Sequence, residues 1–579
     1  MYISELKLWN FRKYHKEGVI ETNNPHLVVP FSKGLNVLIG ENDSGKTAII
    51  DAIKLVLKTH SVEWVKLDDT DFANNCNELR IELIISDLSD EEAAKFNGKL
   101  AFNAGQFFLH LLLSVTRKDD KILPYEVVAL QGGVEESLNA VQKEYIKVTY
   151  LKALRDADNE LSAKKNSRLS QILLGHDTFK KGNNGATTFE DLFTTANNGI
   201  KTWFETDSEG KKIKEIVDDF IHGFISEKYG AFLDLTKPQI RSILEKLSIT
   251  LADSLNLGLG TQNRLYMATE LLHLKNDSTL LHSCLIEELE AHLHPQAQMK
   301  VIETLQEESN NGIQFILTTH SPNLSSKIKL NGDNTTVILC KDNDVYPLTD
   351  GKTKLDKKDY IYLDHFLDVT KSNLFFAKAV IIVEGMAEEI LLPTLAKNLG
   401  KSFIKSEVSI VNVGSTAYLH FARILMRADE KKLNYPVAII TDTDVKPHDP
   451  QKDEKEKKKI KSIEHYVGVA NNVKCFLASP WTLEWCLYKS TAIVASTDVN
   501  SLSGLFKYAC QKVHSKTFKS TDEQDFEIKL QEKLISRKLD KVRIATIMAA
   551  EIDKLSEPIK YEKNDTAKYL IDAINYVCK

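Results

Sequence analysis

The sequence predicts an α/β protein with two separate phosphate-chemistry units, and three observations carry that expectation. Short apolar runs recur along the chain and alternate with helix-spaced segments, the pattern of parallel strands covered by helices. One run, Leu35-Asn36-Val37-Leu38-Ile39, leads directly into Gly40-Glu41-Asn42-Asp43-Ser44-Gly45-Lys46-Thr47, the glycine-rich spacing of a phosphate-binding loop. Two others end in acids far downstream. Ala379-Val380-Ile381-Ile382-Val383 runs into Glu384-Gly385, and Ile439-Ile440 runs into Thr441-Asp442-Thr443-Asp444.

The elements follow in order. Residues 1–60 read as strand, loop, strand, phosphate loop and helix, the helix continuing through Asp51 to Leu57 with apolar residues at helical spacing. Leu79 to Ile85 and Phe107 to Thr116 read as strands, and Gln131-Gly132-Gly133 as a hairpin turn. From about residue 160 to 245 the apolar residues become helix-spaced, which predicts a helical insertion, with Lys180 to Gly185 as a polar linker inside it. Strand patterns return from about 250 to 350. A second α/β unit starts near Phe375 and repeats the buried-strand pattern at Val408–Val413 and Val437–Ile440. The charge-rich run Lys452 to Lys461 reads as a solvated loop, in preference to a DNA-contact loop.

Composition narrows the classes. A chain of 579 residues is too long for one core, so two to four domains are expected. With 42% hydrophobic and 27% charged residues it resembles ordinary soluble proteins. Its longest apolar stretch, Phe107 to Leu113, is too short for a bilayer and contains His110. The start, Met1-Tyr2-Ile3-Ser4-Glu5-Leu6, lacks a signal-peptide pattern. Seven cysteines are scattered and never spaced as CxxC, which argues against a disulfide framework or zinc ribbon and for a reducing cytoplasm. The net charge of −6 leaves any DNA binding to local basic patches.

The phosphate loop has companions. Gly40 and Gly45 let main-chain N–H groups turn towards phosphates, with Asn42 in the same loop; Lys46 would reach the β- and γ-phosphates and Thr47 would hold Mg²⁺. Cys284-Leu285-Ile286 is an apolar strand ending in Glu287 and Glu288. Glu287 would bind the Mg²⁺ shell and Glu288 would orient the attacking water. The pair His292 and His294 that follows reads as part of a structural loop. Phe315 to Thr319 is a strand ending at His320, placed to sense a γ-phosphate.

In the second unit, Glu384 and Glu388 are four residues apart, so both can face one side of a helix start. Asp442 and Asp444 end another strand. Carboxylates gathered at strand ends repel one another unless cations lie between them, and oxygen-only ligands point to Mg²⁺ or Mn²⁺.

The first constellation, with Asn10-Phe11-Arg12 near the start, resembles the ABC-type ATPase heads of the SMC and RecF group. Leu257 to Asn263 stands where those heads carry a signature loop, but departs from Ser-Gly-Gly-Gln. The Glu384-Gly385 and Asp442-Thr443-Asp444 cluster resembles the Toprim fold of topoisomerases, primases and some nucleases, as does Val411-Asn412-Val413-Gly414-Ser415. An ABC head followed by a Toprim domain resembles the OLD (overcoming lysogenization defect) nuclease family, which includes the Gabija nuclease. Tyr150 to Asp156, Pro480-Trp481-Thr482-Leu483-Glu484 and Lys563 in Lys563-Asn564-Asp565 add to that resemblance.

The resemblance implies a division into residues 1–160 and 246–365 as the ATPase, 161–245 as a helical dimerisation insertion and 366–579 as the Toprim domain. It implies ATP bound through Arg12, Gly40, Asn42, Gly45, Lys46, Thr47, Glu287 and His320. It implies Mg²⁺ or Mn²⁺ held by Glu384, Glu388, Asp442, Asp444 and Glu484, with Lys563 stabilising the charged transition state. The expected activity is nucleotide-regulated DNA cleavage in antiviral defence, by a homodimer or homotetramer. Family members also work with a helicase-like partner or with a retron reverse transcriptase and its DNA. The competing expectation is an SMC-like DNA clamp with an inert Toprim site.

Overall fold

The runs Leu35–Ile39 and Ala379–Val383 are buried at every position, so each lies inside a sheet covered on both faces. The computed structural model describes the chain apart from residues 17, 19, 61–65, 104, 120, 153–161, 166, 180–181, 223, 225–238, 250–257, 277–279, 331, 333, 468–471, 496–498, 520–521 and 579. The chain forms two compact units, one of residues 1–12 and 50–317, the other of residues 13–49 and 318–579.

In the first unit, Tyr2–Trp9, Glu78–Ser86, Gln106–Lys118, Val127–Gln131 and Val134–Ser137 form an antiparallel sheet in that order. The last hairpin turns at Gly132 and Gly133, whose φ angles of 58° and 89° suit glycine. A parallel ladder runs Thr149–Leu151, Ser283–Ile286, Gln314–Thr319. The buried Gln314 amide joins the two, accepting from the Ile3 N–H at 2.9 Å and donating to the Ile3 carbonyl at 2.7 Å.

The described part of 161–245 is helical: Arg168–Gly175, Asn184–Thr206, Ser208–His222 and Ile240–Leu244. The expected linker is shorter than read, because Asn184 and Gly185 already belong to the long helix; Lys180 and Lys181 lie outside the described residues. Ala153 to Asp156 and Leu257 of the quoted motifs also lie outside them. The rest of the signature stretch, from Leu259 on, opens the helix Leu259–Asn276.

One buried ion pair locks this region. Arg168 donates to both Glu270 oxygens, at 2.6 and 2.8 Å, with side chains 6% and 1% exposed.

The second unit carries the phosphate-loop strand Leu35–Ile39, paired in parallel with Thr335–Lys341, which turns back into Asp344–Pro347. It also holds a four-stranded parallel sheet ordered Val408–Asn412, Ala379–Val383, Val437–Asp442, Val473–Ala478. The helices Met386–Asn398, Lys541–Ile552 and Lys568–Val577 share one apolar core through Leu391, Leu395, Ile544, Met548, Leu570 and Ile574. The run Lys452 to Lys461 is not a loop but the start of a helix, Lys452–Val467. Its first turn holds Asp453 and Glu454, acids that favour the positive end of a helix, while Asp449 accepts from the Gln451 N–H and the Lys455 ammonium.

Arg168→Met is expected to lower the unfolding midpoint of the first unit by an amount worth about 3–5 kcal/mol, since it strands a buried carboxylate. Arg168→Met with Glu270→Met should recover most of that loss. Equal losses in the single and double variants, followed by denaturant titration, would show that packing rather than the charge pair holds the two helices.

Candidate functional site

Strand order fixes where the second unit's site lies. After Ala379–Val383 the chain places its next strand on one side, then returns to the other side for Val437–Asp442. A crevice opens beyond the carboxyl ends of two such strands, the usual ligand position in open parallel sheets. Both strands end there in acids, Glu384 and Asp442.

The local chain brings more acids to that crevice. Gly385 caps the helix Met386–Asn398, and a Cβ on it would lie 3.1 Å from Glu388 Oε2, so the glycine leaves room for that carboxylate. Asp442 Oδ1 accepts the Leu483 N–H at 3.0 Å, which fastens the strand end to the helix Leu483–Lys489 and so brings in Glu484. Thr443 latches the turn. Its Oγ1 accepts from the Trp481 N–H at 2.9 Å and donates to the Trp481 carbonyl at 3.2 Å. Glu388 and Glu484 are 8% and 3% exposed. Thr441 Oγ1 donates to Glu384 Oε1. Asp444, in the left-handed region at φ 57°, faces outward to Lys459, with Nζ at 2.8 Å from its Oδ2.

Electrostatics show how tightly the acids are gathered. Burial, then the charges of Glu484 and Glu384, push Glu388 up to about 7 from 4.5. Burial, then Glu484 and Glu388, push Asp442 well above the usual carboxylate range. Glu384 is raised by burial and, further down, by Asp444. Besides Lys459 on Asp444, a positive charge among them is Lys541, the first residue of the helix Lys541–Ile552, whose Nζ lies 2.9 Å from Glu484 Oε2. Burial lowers its pKa, but Glu484, Asp442 and Glu388 outweigh burial and raise it. The Tyr569 hydroxyl, fully buried in the same field, has no hydrogen-bond partner among the described residues.

Among the described residues no three acid, His or Cys side chains stand in ligand contact around one point. The donor set nonetheless fits a hard divalent cation: it is oxygen-only and mutually repelling, with Glu388 and Glu484 buried, and Gly385 keeps the space beside Glu388 clear.

The phosphate loop, in the same unit, is built as its sequence requires. Gly40 and Gly45 have φ of 150° and 98°. Side chains there would strike the Cys340 carbonyl at 2.4 Å and the Tyr14 hydroxyl at 2.1 Å. Lys46 Nζ donates to the carbonyls of Gly40 at 2.8 Å and Glu41 at 2.6 Å, and to Ser44 Oγ at 3.1 Å. Asn42, Thr47 and His320 are exposed. In the first unit, Glu287 Oε2 accepts from the Tyr150 hydroxyl at 2.9 Å; burial, then the nearby Asp51 and Glu288, leave its pKa raised. Glu288 is exposed, with φ 44°. Arg12 bridges Asp51 at 2.8 Å and Asp71 at 2.9 Å.

Residues 1–109 and 112–324, more than half of the chain, match the AAA ATPase domain family. The chain belongs to that family. Residues 375–444 match the overcoming lysogenization defect protein-like TOPRIM domain, a span that contains Glu384, Glu388, Asp442 and Asp444. Endonuclease GajA of Bacillus cereus (strain HuB5-5) is 23% identical, over 81% of this chain and 79% of that one. The OLD nuclease of Thermus scotoductus (strain ATCC 700910 / SA-01) is 24% identical, over 73% and 81%. The Old nuclease of Escherichia phage P2 is 24% identical, over 65% and 68%.

The structure thus gathers Glu384, Glu388, Asp442 and Glu484 and leaves Asp444 at their edge. Asp565, pinned to Ser490 Oγ at 2.9 Å and the Thr491 N–H at 2.6 Å, fixes the turn in which Lys563 stands exposed. The ammonium at Glu484 is that of Lys541, which no motif marks. Sequence reading also missed Asp51, Lys54 and the role of Tyr150. Lys54 pairs with Asp51 at 2.9 Å and stacks over the Tyr150 ring at 3.7 Å, bracing Glu287. A helix-spaced lysine facing a tyrosine of a short strand carries no sequence signal of its own.

With a chelator present, stability is expected to fall as pH rises from about 5 towards 7. Folded Glu388 keeps its proton up to about 7, against an ordinary value of 4.5. Across that window the folded chain holds a proton that the unfolded chain releases, so raising the pH favours unfolding. Glu388→Gln should flatten the thermal midpoint against pH there; an unchanged slope would remove Glu388 as its source.

Proposed function

We propose that the protein is an ATP-binding, divalent-metal-dependent DNA endonuclease whose cutting is governed by nucleotide. The observation that carries this reading is the set of acids at the switch point of the parallel sheet, Glu384 and Asp442 half-buried within the Toprim match and Glu388 and Glu484 buried, the last beyond that match. The names of the relatives over most of the chain support it.

Glu384, Glu388, Asp442, Asp444 and Glu484 would hold Mg²⁺ or Mn²⁺, which supplies an activated water and charge stabilisation for phosphodiester hydrolysis. Lys541 takes the part first expected of Lys563. Its side chain is 45% exposed while its ammonium meets Glu484, so it can offset charge on a phosphate that arrives from solvent. Of the tyrosines in the field of the acids, Tyr418 is buried and the Tyr569 hydroxyl is enclosed, which favours water over a tyrosine as nucleophile.

In the second unit Gly40, Asn42, Gly45, Lys46 and Thr47 would cradle ATP, and His320 is a further nucleotide-sensing candidate there; in the first unit Arg12, Glu287 and Glu288 are the residues expected to serve the ATPase. The helices of 161–245 leave Ile216 68% and Phe220 74% exposed, an apolar surface suited to self-association. An antiviral role follows the family resemblance.

The test is supercoiled-plasmid cleavage with Mg²⁺ or Mn²⁺, with and without ATP. Glu384→Gln and Asp442→Asn should each lower cleavage by about 10³-fold or more, and Lys541→Met by about 10²–10³-fold. Lys563→Met should stay within about tenfold of wild type. Lys46→Ala should lose nucleotide binding. Full cleavage by Glu384→Gln and Asp442→Asn would place the chemistry elsewhere. DNA-stimulated ATP hydrolysis without cleavage in any lane would favour the clamp reading.

A further inference from the structure

We propose that Lys341 is the positioning residue through which the phosphate loop sets the two acid-bearing strands of the Toprim sheet. The proposal rests on the nuclease reading only for its activity readout.

Lys341 ends the strand Thr335–Lys341. That strand runs parallel to Leu35–Ile39, Leu339 opposite Ile39, so Lys341 comes level with the start of the phosphate loop. Its Nζ lies 2.9 Å from Glu41 Oε1, with a side chain only 11% exposed. The same ammonium donates to the Ala377 carbonyl at 3.4 Å and sits 4.7 Å from the centre of the Tyr435 ring. Ala377 stands two residues before the strand Ala379–Val383, which delivers Glu384. Tyr435 stands two residues before the strand Val437–Asp442, which delivers Asp442. One charge therefore touches the phosphate loop and the amino-terminal feet of both strands.

Those feet are well coupled to the far ends. The two strands are paired neighbours, Val380 opposite Val437 through Val383 opposite Ile440, and both are buried. A packed, fully hydrogen-bonded strand shifts as a body, because its interior has no slack to absorb displacement. Tyr435 is fully buried and its hydroxyl donates to the Leu374 carbonyl at 2.5 Å, so the ring cannot turn away from Lys341 cheaply. The hairpin behind Lys341 is anchored to the segment leading to Tyr435. Arg427 donates to the Pro347 carbonyl at 2.8 Å, Lys431 meets Asp344 at 2.5 Å, and the Tyr346 hydroxyl donates to the Lys432 carbonyl at 3.1 Å. The adjustable contact is the one between Lys341 and Glu41.

Nucleotide acts on that contact. Lys46 now rests on the Gly40 and Glu41 carbonyls. Phosphates in the loop draw the Lys46 ammonium to themselves and repel the Glu41 carboxylate. Glu41 must then move relative to Lys341, and a largely buried ammonium that loses its counter-charge leans on its remaining partners, the Ala377 carbonyl and the Tyr435 ring.

The experiment uses the full chain and a non-hydrolysable ATP analogue. Hydrogen exchange is followed in peptides covering 374–384 and 434–444, beside plasmid cleavage, in wild type, Lys341→Met, Glu41→Gln and the double variant. In wild type the analogue should change exchange in both peptides by about fivefold or more. Lys341→Met should still bind the analogue, yet show neither that change nor a nucleotide-dependent cleavage rate. Glu41→Gln should behave alike, and the double variant no worse than either single one. If wild type binds the analogue with no change in either peptide, or a folded Lys341→Met keeps the wild-type response, the proposal is overturned. Should Lys341→Met fail to fold, Glu41→Gln decides by the same criterion. An exchange response lost in the variants, with no plasmid cut by any protein, upholds the coupling and removes the nuclease reading. Nucleotide-controlled cleavage with an unaltered exchange response does the reverse.

Discussion

Much of the second unit is arranged around one unfavourable interaction: several carboxylates buried within one another's field. Glu388 and Asp442 both hold their protons more tightly than free acids, because burial and neighbouring charge act in the same direction. Left alone, such a cluster would splay. The structure restrains it with main-chain and side-chain hydrogen bonds, the Leu483 N–H on Asp442 and the Thr443 latch on Trp481. Lys541 supplies a positive charge. That charge arrives because the helices Met386–Asn398 and Lys541–Ile552 share an apolar core. Packing thus delivers a charge that no local sequence rule would place.

This division explains what was legible beforehand. The strands, the phosphate loop and the two acid motifs are local features: an apolar run fixes a buried strand, and the residue after it must stand at the sheet's edge. The Gly132-Gly133 turn, which needs positive φ, was readable for the same reason. Lys541 was not, since its place depends on how helices distant in sequence pack. The turn in which Lys563 stands exposed was not legible either, because Asp565 sets it by reaching Ser490 and Thr491, far away in sequence. The run Lys452 to Lys461 misled in another way. A charged run is compatible with a solvated loop or a solvated helix, and here the helix forms with Asp449 just ahead of it holding the Gln451 N–H and the Lys455 ammonium. That choice matters at the site, because Lys459 on this helix reaches Asp444 and the Asp442 carbonyl.

The nucleotide-binding elements show a related economy of charge. In the first unit Asp51 is shared between Arg12 and Lys54, and Lys54 covers the tyrosine that hydrogen-bonds Glu287. In the second, Lys46 satisfies itself on loop carbonyls. Each of these cations has protein partners, so phosphate binding must exchange one set of contacts for another. An exchange of that kind does more than fill a site: it alters the groups that are released.

The same logic applies to Lys541. Its side chain is about half exposed, and its best partner, Glu484, is nearly buried. Any stronger positive charge among these oxygens competes with the ammonium for Glu484. The loser of that competition is a long, solvent-reaching side chain that can turn to an incoming phosphate without leaving the site. A buried lysine could not respond in this way, and a wholly exposed one would not be held close enough to matter. The half-exposed position lets one residue steady the acids while they are alone and face the substrate when they are not.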